Sequence, residues 1–361
     1  MAKRDSFSAR LNRGEVVYDF IGNRRIWYGI SVLITITAIA ALAVRGLNMG
    51  IEFQGGAVFT TPKSEVSVSQ AQEFVEEASG HEVIVQKLGE GQLRIQVGGL
   101  DTEQSDQIRA ELAEDMGVPT SQIAAELVGP SWGEQIATKA WTGLGVFMIL
   151  VVLYLAIAFE WRMAVAALVA LIHDLTITVG IYSLVGFEVT VGTVIGLLTI
   201  LGYSLYDTVV VFDSLKEQTR GITKQTRYTY GDLANISINS TLIRSINTTV
   251  VALLPVAGLL FIGGGVLGAG MLNDISLSLF VGLAAGAYSS IFIATPLVAD
   301  LKDRDPAVRA LNKRVLARRA AAAAKGESVD ADPSDDSVED AVPAAVVGQR
   351  GRRGRSSDGR R

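Results

Sequence analysis

Apolar residues in this chain gather into six runs, Ile26–Val44, Trp141–Phe159, Met163–Val185, Val189–Phe212, Thr248–Val266 and Ile275–Val298. Each is about 18 to 24 residues long. At 1.5 Å rise per residue that crosses a hydrocarbon core about 30 Å thick, so each run predicts a membrane-spanning helix. The first run lacks a small-residue cleavage pattern and is followed by Arg45, which makes it an uncleaved span rather than a removable leader.

Between the first two runs the period changes. Gly56–Thr61 is a short β-type run, and Ser67–Ser79 places Val68, Ala71, Val75 and Ala78 at helical spacing behind a Ser67/Gln70 capping box. Glu82–Leu88 and Gln92–Val97 flank a tight Gly89-Glu90-Gly91 turn. In the second of them Leu93, Ile95 and Val97 alternate with Gln92, Arg94 and Gln96, the pattern of a half-buried strand. Thr102–Met116 carries Ile108, Leu112 and Met116 on one stripe and ends at Gly117 and Pro119, and Gln122–Val128 reads as a last strand. The order βαββαβ is a ferredoxin-like arrangement. The expected fold class is therefore an α-helical membrane protein of six spans with one α+β domain. Residues 1–25 form a tail, 26–46 the first span, 47–138 the ferredoxin-like domain, 139–300 spans two to six and 301–361 a second tail.

Charge orients this arrangement. Lys3, Arg4, Arg10, Arg13, Arg24 and Arg25 precede the first span, Arg162 sits between spans two and three, and Lys216, Arg220, Lys224, Arg227 and Arg244 lie between spans four and five. The loop from Gly46 to Ala140 carries 15 acidic residues against five Lys or Arg, and Gly186–Glu188 and Gly263–Asp274 carry no Lys or Arg. Positive loops stay in the cytoplasm, so both termini are expected inside and the acidic domain outside. From about Ala317 the sequence falls in complexity: an alanine run, an acidic stretch from Asp330 to Asp340, then Arg350, Arg352, Arg353, Arg355, Arg360 and Arg361. Disorder is expected there, serving either as solvated charge or as an attachment to anionic lipid or ribosomal RNA.

Composition narrows the chemistry. Hydrophobic residues make up 49% of the 361 and charged residues 19%, too apolar for an ordinary soluble domain, and the net charge of −5 says little because the charges are segregated. Cysteine is absent, which excludes a disulfide framework, a thiolate metal site and a cysteine nucleophile. With only His81 and His173, a zinc centre is not expected, and neither a phosphate loop nor a Ser–His–Asp arrangement is visible. No cofactor, metal or catalytic residue is expected.

Ionisable groups inside a bilayer cost roughly 2.5 to 3.5 kcal/mol each on insertion scales, so each needs a partner or a purpose. His173 and Asp174 lie near the middle of span three, about 17 Å from its cytoplasmic end. They are either a proton-carrying pair or a structural hydrogen bond between helices. Asp207 lies in span four, and six residues on, Asp213 does not share its face and reads as a residue that reaches water, a secondary candidate only. Arg244, at the start of span five, either snorkels to the interface or is the ion partner of Asp207, switching it between holding and releasing a proton. Small residues mark close helix approach: Gly192 and Gly196 in span four, Gly202 and Ser204 nearer Asp207, and Gly282 and Gly286 in span six, extended by Ala285, Ser289 and Ser290.

Six strings, in order, resemble the SecD/SecF family of the resistance-nodulation-division superfamily, on its SecF side. They are GIEFQGG (Gly50–Gly56), VGPSWGEQIATKA (Val128–Ala140), HDLTITVGIYSLVGFEV (His173–Val189), LTILGYSLYDTVVVFDSLKEQTR (Leu198–Arg220), NSTLIRSINTT (Asn239–Thr249) and GAYSSIFIATPLV (Gly286–Val298). Glu52, Gln54 and Tyr206 depart from the residues that many members carry. The resemblance implies a subunit that pairs with SecD and the SecYEG channel and acts on a translocating polypeptide after SecA, with YajC and YidC as further partners and no nucleic acid in the core function. It implies proton use through Asp207, with Arg244 as its span-five partner and the His173-Asp174 step alongside. Two other readings stand beside it: half of a small-molecule or ion exporter of the same superfamily, and a non-transporting membrane scaffold.

Overall fold

The structure is a computed structural model and describes residues 18–64, 66–81, 83–88, 91–264 and 270–325. Lys3, Arg4, Arg10 and Arg13, the Gly89-Glu90 pair, the acidic Asp330–Asp340 stretch and the arginine-rich end lie outside the described residues. Six helical stretches, Arg24–Arg45, Trp132–Ala158, Trp161–Val185, Val191–Lys224, Tyr230–Gly263 and Leu272–Asp303, are long and apolar enough to cross a membrane. The described residues fall into two compact units. One is Gly29–Tyr206 with Thr248–Ser289, and the other comes from Met1–Tyr28, Asp207–Asn247 and Ser290–Arg361.

In the first unit the chain leaves helix α1 (Arg24–Arg45), makes the short strand β1 (Asn48–Met49) and a single turn, α2 (Ile51–Gln54), and enters the sheet. Strands β2 (Gly56–Thr60), β3 (Val83–Lys87), β4 (Leu93–Gly98) and β5 (Ala124–Val128) pair in the order β3-β4-β2-β5 with every pairing antiparallel. Helices α3 (Val68–Ser79) and α4 (Thr102–Asp115) complete a βαββαβ sequence of elements. Both helices begin at full capping boxes, Ser67 with Gln70 and Asp101 with Gln104, each satisfying two otherwise orphaned backbone donors. Phe59, Val75, Leu93, Ile95, Val97, Ile108, Leu112 and Ile123 form the core, each at most 3% exposed.

The other face of β4 departs from expectation. Gln96 is buried, at 6% exposure, and Arg94 approaches a carboxylate rather than bulk water. Strand alternation predicts which residues share a face but not what covers it. The cover here comes from the segment around β1 and α2, and β1 pairs in parallel with β6 (Glu188–Val189), a two-residue strand too short to leave a periodic signal.

Helix α5 (Pro130–Ala158) starts eleven residues before its apolar run, with proline in its first turn, where a missing N–H costs nothing. A Cβ placed on Gly133 would lie 2.7 Å from the Phe53 carbonyl oxygen, so only glycine lets α5 pack against α2. About a tenth of the apolar stretch of α5 is buried, against half for α6 (Trp161–Val185). Helix α6 is thus central to the bundle, and α5 offers its surface to lipid or another chain.

Helix α7 (Val191–Gln218) runs through both units, as does α8 (Tyr230–Gly258). Helix α8 starts well before its apolar run, at a Thr229–Asp232 reciprocal cap. Arg244 accordingly sits in mid-helix and not at its start. Span six is α9 (Gly270–Ser289), a π turn (Ser290–Ala294) and α10 (Thr295–Asp303). Pro296 lacks an N–H and cannot continue an ordinary ladder, which accounts for the wide turn before it.

In the second unit, Asn235 Oδ1 accepts from the Phe20 backbone N–H at 2.8 Å, and Arg24 pairs with Asp300 at 2.9 Å. Helix α11 (Pro306–Lys325) corrects the reading of the tail: the alanine run from Ala317 is helical as far as Lys325. Its first half buries Val308, Leu311 and Val315, Arg319 bonds Asp232, and alanine, the strongest helix former, carries the helix on.

One prediction follows from the α5–α2 packing. Gly133→Ala destabilises the protein by about 1–3 kcal/mol through overpacking, while Gly143→Ala, whose Cβ meets nothing within 4 Å, does not. Thermal unfolding of the detergent-solubilised protein checks it; equal melting temperatures would be the contrary result.

Candidate functional site

Asp207 is 5% exposed, on α7 in the second unit. Its Oδ1 accepts from the Ser245 hydroxyl of α8 at 2.8 Å, and its Oδ2 accepts from the Ser290 hydroxyl at 2.6 Å. Ser290 is the first residue of the π turn, so the irregular part of span six is what aims a hydroxyl at the acid. Such turns within helices concentrate at functional sites. Thr208, Ser237, Thr241 and Thr295 are also buried in this unit, which makes its interior polar.

A hydroxyl both donates and accepts. Against a carboxylate both serines donate; against a carboxylic acid one donates to the carbonyl oxygen while the other accepts the acid proton. The same three side chains therefore hold either protonation state without moving a helix. Arg244 precedes Ser245 and is exposed, about 100° round α8 from it. In this arrangement two serine hydroxyls hold Asp207. Asp213, six residues further along α7, is exposed.

A second group lies in the first unit. Asp174, in α6, is fully buried and accepts through Oδ2 from Ser204 of α7. This is a hydrogen bond between spans three and four. His173 Nδ1 is 3.7 Å from Asp174 Oδ1, too far for a hydrogen bond, and its ring stacks on Tyr288 at 6.2 Å between centroids. Among the described residues neither ring nitrogen of His173 nor Asp174 Oδ1 has a hydrogen-bond partner. Leaving such groups buried costs free energy, which singles this step out from ordinary helix packing.

Glycines set these contacts. A Cβ on Gly286 would lie 2.9 Å from Ser204 Cβ, on Gly282 2.1 Å from Ile200 Cδ1, and on Gly196 1.7 Å from Ser278 Oγ, so α7 and α9 touch along one small-residue seam that carries Ser204. Gly192 is buried on the same helix. Gly202 is a correction: a Cβ there meets nothing within 4 Å, because its place on the helix turns it away from the seam. Gly180 packs on Ala38, a contact between spans three and one that no motif announced. Sequence reasoning also passed over Ser204 and Ser245 as partners of the acids, and Glu188 altogether. Isolated polar residues inside or beside apolar runs were the available signal.

The motif-bearing stretches that build these sites are the ones that match known families. The family described as "Protein export membrane protein SecD/SecF, C-terminal" matches residues 108–304, and "SecD/SecF GG Motif" matches residues 40–62. The chain is 72% identical to the protein translocase subunit SecF of Streptomyces coelicolor, over 100% of both chains.

The chain belongs to the SecF family.

It is also 42% identical to the protein translocase subunit SecF of Mycobacterium tuberculosis, over 87% of this chain and 74% of that one. The crystal structure of SecDF, a translocon-associated membrane protein from Thermus thermophilus, superposes with a TM-score of 0.70 at 31% identity, covering 82% of this chain and 41% of that longer one. The SecF-family GG stretch acquires a physical reason here. Gly55 and Gly56 take φ of 78° and 140°, and a Cβ on Gly56 would lie 2.2 Å from the Val97 carbonyl oxygen, so the entry into β2 admits only glycine.

Ser290→Ala or Ser245→Ala removes one donor from a buried carboxylate and costs about 1–3 kcal/mol. Melting temperatures of the detergent-solubilised variants test this, and variants as stable as the parent would be the contrary result.

Proposed function

We propose that this chain is the SecF-type half of a proton-driven export device, paired with a SecD half and coupling proton movement through its spans to the release of polypeptide on the far side of the bacterial cytoplasmic membrane. Its relatives are named protein translocase subunits, and a relative from Thermus thermophilus is a single SecDF chain, which supports the SecD partnership. The termini lie in the cytoplasm and the sheet domain outside, as the arginine and lysine distribution indicates. SecYEG, SecA, YajC and YidC are further partners on this reading, with anionic lipid at the C-terminal tail. The chain itself is not an enzyme, and SecA hydrolyses the ATP.

The observation that carries the reading is Asp207, buried among apolar helices and held by hydroxyls from two other spans, one of them on a π turn. A proton moving down the field releases about 2.3 kcal/mol per 100 mV, and neutralising a buried charge changes how the three spans prefer to pack. Arg244, the residue before Ser245 on α8, is the cation that favours the charged form of the acid and so the release of its proton. His173 and Asp174 belong to the same pathway.

Asp207→Asn keeps the hydrogen bonds of the neutral state and cannot release a proton. Membrane vesicles carrying it assemble the complex normally and lose the stimulation of export by the proton motive force. Export stimulated as in wild type would rule the proton role out.

A further inference from the structure

Where the sheet domain meets the spans, within the first unit, four charged side chains from four elements converge. Glu188 of β6 is 9% exposed, and its Oε2 lies 3.7 Å from Arg94 Nη1 of β4. Glu52 of α2 accepts through Oε2 from the Val191 backbone N–H at 3.1 Å, which places a carboxylate on the N-terminus of α7, where the helix dipole favours it. Asp274 of α9 and Gln96 of β4 also face Glu188. The backbone closes around the group: Asn48 and Met49 pair with Glu188 and Val189, and the Gly50 N–H donates to the Val189 carbonyl at 2.9 Å. A Cβ on Gly50 would lie 2.8 Å from Glu188 Oε1, so the carboxylate rests directly on that glycine.

Among the described residues Arg94 is the one cation beside these three carboxylates, and it belongs to the sheet, while the carboxylates belong to the loop between spans three and four, the turn after span one, and span six. An ion pair in that position joins the sheet to the loop between spans three and four. At 3.7 Å it is an electrostatic contact without a direct hydrogen bond, so adding one proton to Glu188 removes most of it. We infer that Glu188 is a positioning residue of the export cycle, which latches the sheet domain to the spans through Arg94 and unlatches it when protonated from the outer side.

Burial is the largest influence on Glu188 and raises its pKa above the ordinary glutamate range; Arg94 and Gln96 oppose that, and Glu52 adds to it. The sign follows. Folding then favours the protonated form, whose stabilising contribution is complete below the unfolded-state pKa of about 4.5 and is lost as pH rises through the elevated folded value. Acidification on the outer side therefore loads Glu188 sooner than an exposed glutamate and sets Arg94 free. The outward placement, and the use of unlatching in export, rest on the reading under Proposed function.

The chain has no cysteine, so a pair introduced at Lys87, on β3, and Val185, at the end of α6, carries spin labels without background. In the full-length protein, reconstituted with its SecD partner, the label-to-label distance distribution is narrow at neutral pH and broadens on acidification. Glu188→Gln and Arg94→Gln are broad at every pH, Gly50→Ala is broad with all charges kept, and Arg94→Glu combined with Glu188→Arg narrows the distribution relative to either single change. A distribution in Glu188→Gln that is as narrow and as pH-responsive as wild type overturns the latch. The same labels in Asp207→Asn keep the two ideas apart: their pH response persists even if that variant exports normally and the proton role of Asp207 falls.

Discussion

A carboxyl group held inside a bundle of apolar helices is the constraint on which the rest of this protein turns. Burying Asp207 without compensation carries a free-energy cost that its span has to offset. The compensation comes from Ser245 and Ser290, each on a different helix, and reaching it requires α8 to run unbroken past Arg244 and span six to open into a π turn ahead of Pro296. The helix irregularity and the acid are thus one feature. Because hydroxyls serve both protonation states, the site is indifferent to the proton in its hydrogen bonds and sensitive to it in its charge.

The second buried acid, Asp174 with His173, follows the same logic with less compensation. Asp174 has one oxygen satisfied by Ser204, which the α7–α9 glycine seam presses into place, while His173 is buried beside it with both ring nitrogens unpaired among the described residues. One group is fully held and the other is held by half. That is an uneven distribution of hydrogen bonds, and the unmet ones leave a free-energy cost in place.

Much of the architecture was legible because membranes and sheets impose strict periods. Six apolar runs, a capping box at Ser67, and the alternation through Leu93, Ile95 and Val97 each correspond to an observed element. What was not legible had no period. Two residues of β6 carry no pattern, yet they bring Glu188 to Arg94, on the face of β4 that alternation alone assigns to water. Gly202 has the composition of a packing residue but points away from the seam, since a small residue reveals its face only once the helix phase is known. The acids were found from their cost in lipid; their serine partners were not, because a serine in a span is cheap and common. Arg244 was identified, and in this arrangement it lies exposed in the middle of α8.

The central claim, that Asp207 exchanges a proton inside the bundle, is tested most directly by infrared difference spectroscopy of the reconstituted protein across a pH step, with Asp207→Asn as the reference. A protonated-carboxyl stretching band that appears on acidification in the parent protein, shifts in Ser290→Ala and is missing from Asp207→Asn is the expected result. A carboxyl region that is the same in the parent and in Asp207→Asn at every pH would contradict the account.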